Sequence, residues 1–386
     1  MGHHVYLVPP DGRSLHHDPV DSTTMKNEHG GNISEVSRRC GIDEDRIIDF
    51  SANINPLGYP PAVRETIVKE VNSVLNYPDD DSFDLISGLS EYHGIGRDNI
   101  LVGNGSTEFI YWIPIVFKPR KALIVTPAFS EYEMGLRIAG SEISYFQAES
   151  DFSVSIDCLC SRMREKFDIF YLCNPANPTG VLTPKDELCR VIAYAQEANI
   201  LAVIDEAFID FMEDESLKKE IFRFPNLIVL RSMTKFFGIP GLRIGYVMAG
   251  ASCIAKIKEN KPPWTVSSLG QRAAAKALFD GDYIKNTRKY VTTEREFLRN
   301  ALDEILGLKT YESAANFILV HIANRIGLNS TEIRDRLAKE GILVRDCSTF
   351  HGLGNRYLRI AVKRREQNII IIEKMKEILK KYVPGT

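Results

Sequence analysis

Arg231-Ser-Met-Thr-Lys-Phe-Phe-Gly-Ile-Pro-Gly-Leu-Arg-Ile-Gly-Tyr246 is the stretch on which the reading of this chain turns. It places two hydroxyls (Ser232, Thr234), a lysine (Lys235) and, eight residues later, an arginine (Arg243) in one strand–loop–strand unit. A lysine is ordinarily a solvated surface charge. Lys235 instead has Phe236, Phe237, Ile239 and Pro240 for neighbours. Desolvation lowers an ammonium's pKa and favours the neutral amine, the form that Schiff-base chemistry uses.

The runs on either side of this unit set the fold class. Apolar segments recur at 100–103, 122–125, 169–173, 200–204, 227–230 and 244–248, each of strand length and without polar alternation. Strands covered on both faces read this way. Several are separated by helix-length stretches such as 185–199. The expected class is therefore α/β, a mainly parallel sheet with helices on both sides. Ligands of such sheets collect in the loops beyond the strands' carboxyl ends. Further on, 282–306 carries a helical period through Tyr283, Tyr290, Phe297 and Ala301. Strand-like runs at 316–321, 342–345 and 357–362 and a terminal helix from about Arg365 predict a smaller α+β lobe.

Composition narrows the functions. In 386 residues, 48 basic side chains face 51 acidic ones for a net charge of −3, with no block of like charge. That speaks against nucleic-acid binding. The longest uncharged apolar run, 109–117, contains Pro114 and is about half of what a bilayer span needs. With no basic-then-apolar leader at the start, a cytoplasmic protein without membrane contact is expected. The seven cysteines are scattered, none in a C-x-x-C pair, which predicts buried thiols in a reducing compartment and no metal site. Residues 1–28 hold four of the eight histidines and no apolar period, and read as an arm without catalytic work, Met25 being a further possible start.

Three more loops follow strands. Gly103-Asn-Gly-Ser-Thr-Glu108 should open a helix; its free N–H groups with the Ser106 and Thr107 hydroxyls suit an anion, or simply cap the helix. Asn174-Pro-Ala-Asn-Pro-Thr-Gly180 is turn chemistry, and a cis bond before Pro178 fits it. Asp205-Glu-Ala-Phe208 ends a buried strand, where a carboxylate is costly without a cationic partner; a helix cap or a magnesium ligand are the bland readings.

Taken in order, N-P-x-N-P-T-G, D-E-A-F and S-x-T-K-x-x-x-x-x-G-x-R-x-G resemble the fold-type-I pyridoxal-phosphate enzymes, in the class-II aminotransferase branch close to histidinol-phosphate aminotransferase. The likeness runs from about His29 to the C-terminus. It implies a large domain over 71–281 that binds pyridoxal 5'-phosphate, a small domain from 29–70 and 282–386, and the extension 1–28. It implies that Lys235 joins the cofactor aldehyde and that Asp205 pairs with the ring nitrogen. Asn177 would bond the phenolic oxygen, and Phe129 would stack on the ring. Ser106, Thr107, Ser232 and Arg243 would hold the phosphate. Tyr77, in Asn76-Tyr-Pro-Asp79, matches a tyrosine that reaches that phosphate from a neighbouring subunit, so a homodimer is implied. Phe208 departs from the tyrosine many relatives carry, which removes one hydroxyl contact to the cofactor.

His29-Gly-Gly-Asn32 and Asp49-Phe-Ser-Ala-Asn-Ile-Asn-Pro-Leu-Gly58 are similar to the branch of this family that decarboxylates L-threonine O-3-phosphate for the cobalamin nucleotide loop. Thr126-Pro-Ala-Phe-Ser-Glu-Tyr132 and Pro263-Trp-Thr-Val266 continue the likeness. The implied substrate is a small phosphorylated amino acid, held by His29, Asn53, Arg345 and Arg359. The bland readings are a capping role for His29 and a surface ion pair for Arg345. Serine phosphate decarboxylation, amino transfer to histidinol phosphate or an aromatic acid, and a noncatalytic ligand sensor are the alternatives. The retained Lys235, Asp205 and Arg243 speak against the sensor.

Overall fold

A computed structural model describes residues 30–382. The arm 1–28 and His29 lie outside the described residues. The organising feature is a seven-stranded sheet of β1 Ile100–Asn104, β2 Lys121–Thr126, β3 Glu142–Gln147, β4 Ile169–Cys173, β5 Leu201–Asp205, β6 Leu227–Ser232 and β7 Ile244–Ala249. Its order is β1-β7-β6-β5-β4-β2-β3. Strands β2 to β6 run parallel, and β7 is antiparallel to both its neighbours. The register pairs Cys173 with Asp205 and Ser232 with Gly245. The loops that leave β4, β5 and β6 therefore open on one edge of the sheet.

Alternate side chains of these strands feed two cores. Leu123, Phe170, Leu172, Ile204 and Val229 pack on one face, and Ile124, Tyr171, Val203, Ile228 and Leu230 on the other. Each such side chain fully withdrawn from water contributes about 1.5–3 kcal/mol before chain entropy is charged. Strand β3 has no counterpart among the expected runs. Glu142-Ile-Ser-Tyr-Phe-Gln147 is an edge strand with half-buried and exposed side chains, so it lacks the unbroken apolar run of its neighbours.

The helix Ser106–Phe117 starts where the glycine-rich loop predicts, and holds Pro114 in its last turn. Helix Lys185–Glu197 stops two residues short of the expected end, at a chain reversal in which Asn199 has φ +58°. Helix Gly281–Asp303 carries the long period, and Arg365–Lys380 closes the fold.

A second, antiparallel sheet contains β8 Leu308–Thr310, β9 Phe317–Ile322, β10 Arg345–Asp346 and β11 Tyr357–Ala361, in the order β10-β11-β9-β8. The single strand expected over 342–345 is corrected. Ile342–Leu343 pairs in parallel with Ile48–Asp49, and only Arg345 and Asp346 join the four-stranded sheet. The competing partner is the N-terminal segment, 300 residues distant along the chain, which a local pattern does not reveal.

The cysteine expectation is also corrected. Cys173, Cys253 and Cys347 are buried, Cys40, Cys160 and Cys189 are intermediate, and Cys158 is exposed. The four outlying ones sit on helices, whose outward positions tolerate a small thiol. No helix among the described residues is long and apolar enough to cross a membrane. No group of three or more potential metal-ligating side chains occurs among them.

Candidate active site

The loops beyond β4, β5 and β6, the start of helix Ser106–Phe117 and the second sheet enclose a cavity of about 230 Å³. Lys235 stands in it. The surrounding Phe236, Phe237 and Ile239 are at most 3 % exposed. Burial, with Arg359 and Arg243 nearby, pushes the Lys235 ammonium down to about 8. The amine is thus half-neutral near that pH, as its apolar neighbours led us to expect.

The segment 49–58 clamps the lysine loop. The Asn55 N–H donates to the Lys235 carbonyl at 3.1 Å. Its side-chain Nδ2 donates to the Phe236 carbonyl at 2.7 Å, and the Tyr283 hydroxyl donates to the same carbonyl at 2.8 Å. Gly238, at φ +63°, lies so close to this segment that a Cβ would stand 2.4 Å from the Gly58 carbonyl oxygen. Asn55 and Tyr283 escaped the sequence reading as site supports, although Asn55 lies inside one of its quoted strings.

Asp205 lies at the cavity floor, buried. Its bonded partners within the chain are the Tyr132 hydroxyl, donating at 2.6 Å, and the Ala207 N–H, donating at 3.0 Å. Desolvation raises its pKa, and these two donors and the Lys235 charge pull it back. Tyr132 is a third residue to which the motifs gave no role. Phe129 lines the cavity one turn before it, edge-on to the Tyr132 ring at 6.0 Å.

One corner gathers anion-binding groups. Ser106, Thr107, Ser232 and Arg243 all line it. Ser232 and Thr234 hydroxyls bond at 2.8 Å. Gly105 has φ +75°, and a Cβ there would meet Arg243 Nη2 at 2.6 Å. At Gly245 a Cβ would meet the Ser106 N at 2.1 Å. Two glycines thus let a guanidinium and a helix's first N–H approach the same space, an arrangement suited to an anion.

The opposite wall is built by β10 and β11. Arg345 and Arg359 are cross-strand partners and both line the cavity, at 8 % and 7 % exposure. Low exposure removes the surface-pair reading of Arg345. Arg359 donates through Nη1 to Asn177 Oδ1 at 2.5 Å and through Nη2 to the Ser51 carbonyl at 2.8 Å. Its Nε and the Asn53 Oδ1 are buried without a hydrogen-bond partner among the described residues. Burial lowers the Arg359 pKa to about 10. Of the residues expected at a site, Tyr77 is the described one that stays outside: it is 80 % exposed and packs on Trp264, ring centres 4.8 Å apart.

Beneath the site lies an ionic cluster. Arg231, fully buried, donates to Asp210 Oδ1 at 2.8 Å, Glu213 Oε2 at 2.6 Å and Glu206 Oε2 at 3.3 Å. Burial pushes the Glu206 carboxyl up to about 7, and the Arg231 charge opposes this. Glu206 and Arg231 adjoin Asp205 and Ser232 in sequence, so the cluster ties together the ends of the two strands that carry cavity residues.

Residues 45–374 match the aminotransferase class I and II family. The chain is 35 % identical to the threonine-phosphate decarboxylase of Salmonella typhimurium over 94 % of this chain and 99 % of that one. It is 32 % identical to the histidinol-phosphate aminotransferase of Methanococcus aeolicus, over 91 % and 95 %. Among solved structures, the L-threonine-O-3-phosphate decarboxylase of Porphyromonas gingivalis superposes with a TM-score of 0.76 at 27 % identity, covering 86 % of this chain and 99 % of that one. This chain belongs to the aminotransferase class I and II family. Within it, both decarboxylases of threonine phosphate and aminotransferases of histidinol phosphate are similar to it along nearly their whole length.

Proposed function

We propose that the protein decarboxylates L-threonine O-3-phosphate to (R)-1-aminopropan-2-yl phosphate, with pyridoxal 5'-phosphate as its cofactor. The observation that carries this reading is the pair of buried guanidiniums on adjacent strands. Like charges directly opposite each other repel, and burial worsens the cost of each. Arg345 and Arg359 pair in register inside the cavity, and two guanidiniums side by side suit a substrate with two acid groups. Threonine phosphate has a carboxylate and a phosphate dianion. The similarity to threonine-phosphate decarboxylases across the full length supports the same substrate.

The residues fit the cofactor. The close approaches at Gly105 and Gly245 bring the Arg243 guanidinium and the Ser106 N–H together in one corner, and Lys235 is a desolvated amine. When bound, the cofactor supplies an electron sink to which the carbon–carboxylate bonding pair is delocalised as carbon dioxide leaves. Lys235 would hold the cofactor by its aldehyde, and the same amine would be the proton donor to the α-carbon. Asp205, ionised with the help of Tyr132, keeps the ring nitrogen protonated. Asn177 spends its oxygen on Arg359, which leaves its amide hydrogens to bond the phenolic oxygen. Ser106, Thr107, Ser232 and Arg243 hold the cofactor phosphate, and Phe129 covers the ring. Arg345 and Arg359 take the substrate's acid groups, assisted by Asn53 and by His29. Their placing would decide the reaction, since the orientation in which the substrate is held sets which α-carbon bond is broken.

We further propose a cytoplasmic homodimer. Val74, Leu75 and Tyr77 are 63 %, 82 % and 80 % exposed, and Trp264 and Phe279 more than half. Apolar surface of this kind marks an interface, and a second copy of the chain would bring Tyr77 toward its neighbour's phosphate corner. The deciding experiment supplies L-threonine O-3-phosphate to the reconstituted protein and measures carbon dioxide release beside amino transfer to 2-oxoglutarate. Release with little transfer supports the decarboxylase. Transfer without release favours the aminotransferase that the Methanococcus relative represents.

A further inference from the structure

Each substrate-side arginine has a phenylalanine ring against it, Phe317 by Arg359 and Phe350 by Arg345, and of the two rings Phe350 is the one that lines the cavity. The loop that carries it is folded tightly on itself: the Phe350 N–H donates to the Cys347 carbonyl and the Leu353 N–H to the Phe350 carbonyl, each at 3.0 Å. Arg345 Nη2 also donates to Thr349 Oγ1 at 3.0 Å, so arginine and ring are set by one short segment.

That segment is fastened to the far edge of the large sheet. His351 lies flat on Tyr145 of β3, ring centres 3.9 Å apart and planes 16° from parallel. Gly352, at φ +84°, is seated where any Cβ would stand 2.0 Å from Gln147 Oε1 of the same strand. Phe350 packs with Phe152, Leu319, Cys347 and Leu353 in a small cluster between the two sheets. Strand β3 contributes no cavity residue; its link to the site runs through this loop.

The following rests on the decarboxylase reading above. A threonine phosphate whose ester phosphate meets Arg345 carries its methyl on the carbon bearing that ester. The Phe350 ring, 5.2 Å from the Arg345 guanidinium carbon, is an apolar surface of the cavity next to the group that would take the ester phosphate. We propose that Phe350 is the specificity-determining residue, its ring forming the wall against which the substrate methyl rests, and that the His351–Tyr145 stack and the Gly352–Gln147 contact hold the wall in place. The site thereby prefers threonine phosphate to serine phosphate, which differs by that methyl alone.

The test compares kcat/KM for carbon dioxide release from L-threonine O-3-phosphate and L-serine O-phosphate on the holoenzyme. One methyl against an apolar wall is worth about tenfold in discrimination. Phe350→Ala is expected to lower the threonine-to-serine ratio by about that factor. Phe350→Leu, which keeps an apolar wall, retains most of the ratio, and His351→Ala lowers it by a smaller factor. Equal loss on both substrates in Phe350→Ala, or an unchanged ratio, overturns the proposal and leaves the decarboxylase reading standing. If the unaltered protein releases carbon dioxide from neither substrate, the decarboxylase reading falls and this assignment with it.

Discussion

Replacing Tyr132 by phenylalanine removes one oxygen from the cavity floor and tests how Asp205 is kept ionised. The phenol donates to Asp205 Oδ2 at 2.6 Å with both groups buried. The ring stacks on Tyr171 at 5.2 Å, a contact that phenylalanine retains. A hydrogen bond to a charged group is worth about 1.5–3 kcal/mol. Loss of this donor should therefore disfavour the ionised Asp205 by about that hydrogen-bond energy and raise its pKa further. The direction follows because burial already raises it and the Tyr132 bond opposes that rise. A protonated Asp205 no longer pairs with a protonated ring nitrogen, so cofactor affinity falls as pH drops through this pKa. The apparent Kd for pyridoxal 5'-phosphate, read from its near-visible absorbance between pH 4 and 9, should show its acid limb displaced to higher pH in Tyr132→Phe. A limb that stays put, or an equal loss of affinity at every pH, refutes the assignment of Tyr132 as the donor that keeps Asp205 charged.

Three other perturbations follow from the geometry. Gly105→Ala introduces a Cβ 2.6 Å from Arg243 Nη2 at a backbone φ of +75°; cofactor affinity should fall at least tenfold while thermal unfolding of the apoprotein shifts by only a few degrees. In the cluster below the site, the folded Glu206 pKa of about 7 exceeds the model-peptide value of 4.5. Its proton uptake stabilises the fold fully below the lower value and is lost as pH rises through the upper one; the urea midpoint advantage of the native chain over Glu206→Gln should accordingly shrink between pH 4.5 and 7. Leu75→Asp puts a charge on a side chain that is 82 % exposed, and sedimentation should show monomers with weakened cofactor retention, whereas an undisturbed dimer places the interface elsewhere.

Much of the fold was legible because the buried strands of a parallel sheet have unbroken apolar runs, and six of the seven strands carry one. Edge strand β3 was not, since its side chains are half-buried or exposed throughout and form no unbroken apolar run. The split of 342–345 between two sheets was hidden for another reason: Ile48–Asp49 competes for it from the other end of the chain. At the site, Lys235, Asp205, Asn177 and Arg243 announce themselves through motifs, because backbone turns and charged groups must occur at set spacings within one loop. Tyr132, Asn55 and Phe350 carry no such mark. Each acts on a partner from a distant segment, and a tyrosine, an asparagine or a phenylalanine is an ordinary residue until that partner is known.

Chemistry, then, was written locally: which amine is desolvated by its own neighbours, which loops end strands, and which branch of a family the ordered motifs match. Tertiary structure alone decided what surrounds each group. It set two arginines opposite each other across β10 and β11, gave Asp205 a phenol donor, and fastened the Phe350 loop to a strand some two hundred residues earlier. Local sequence dictates conformation and composition over a few residues, whereas the field and the walls of a cavity are sums over groups that only folding brings within reach of one another.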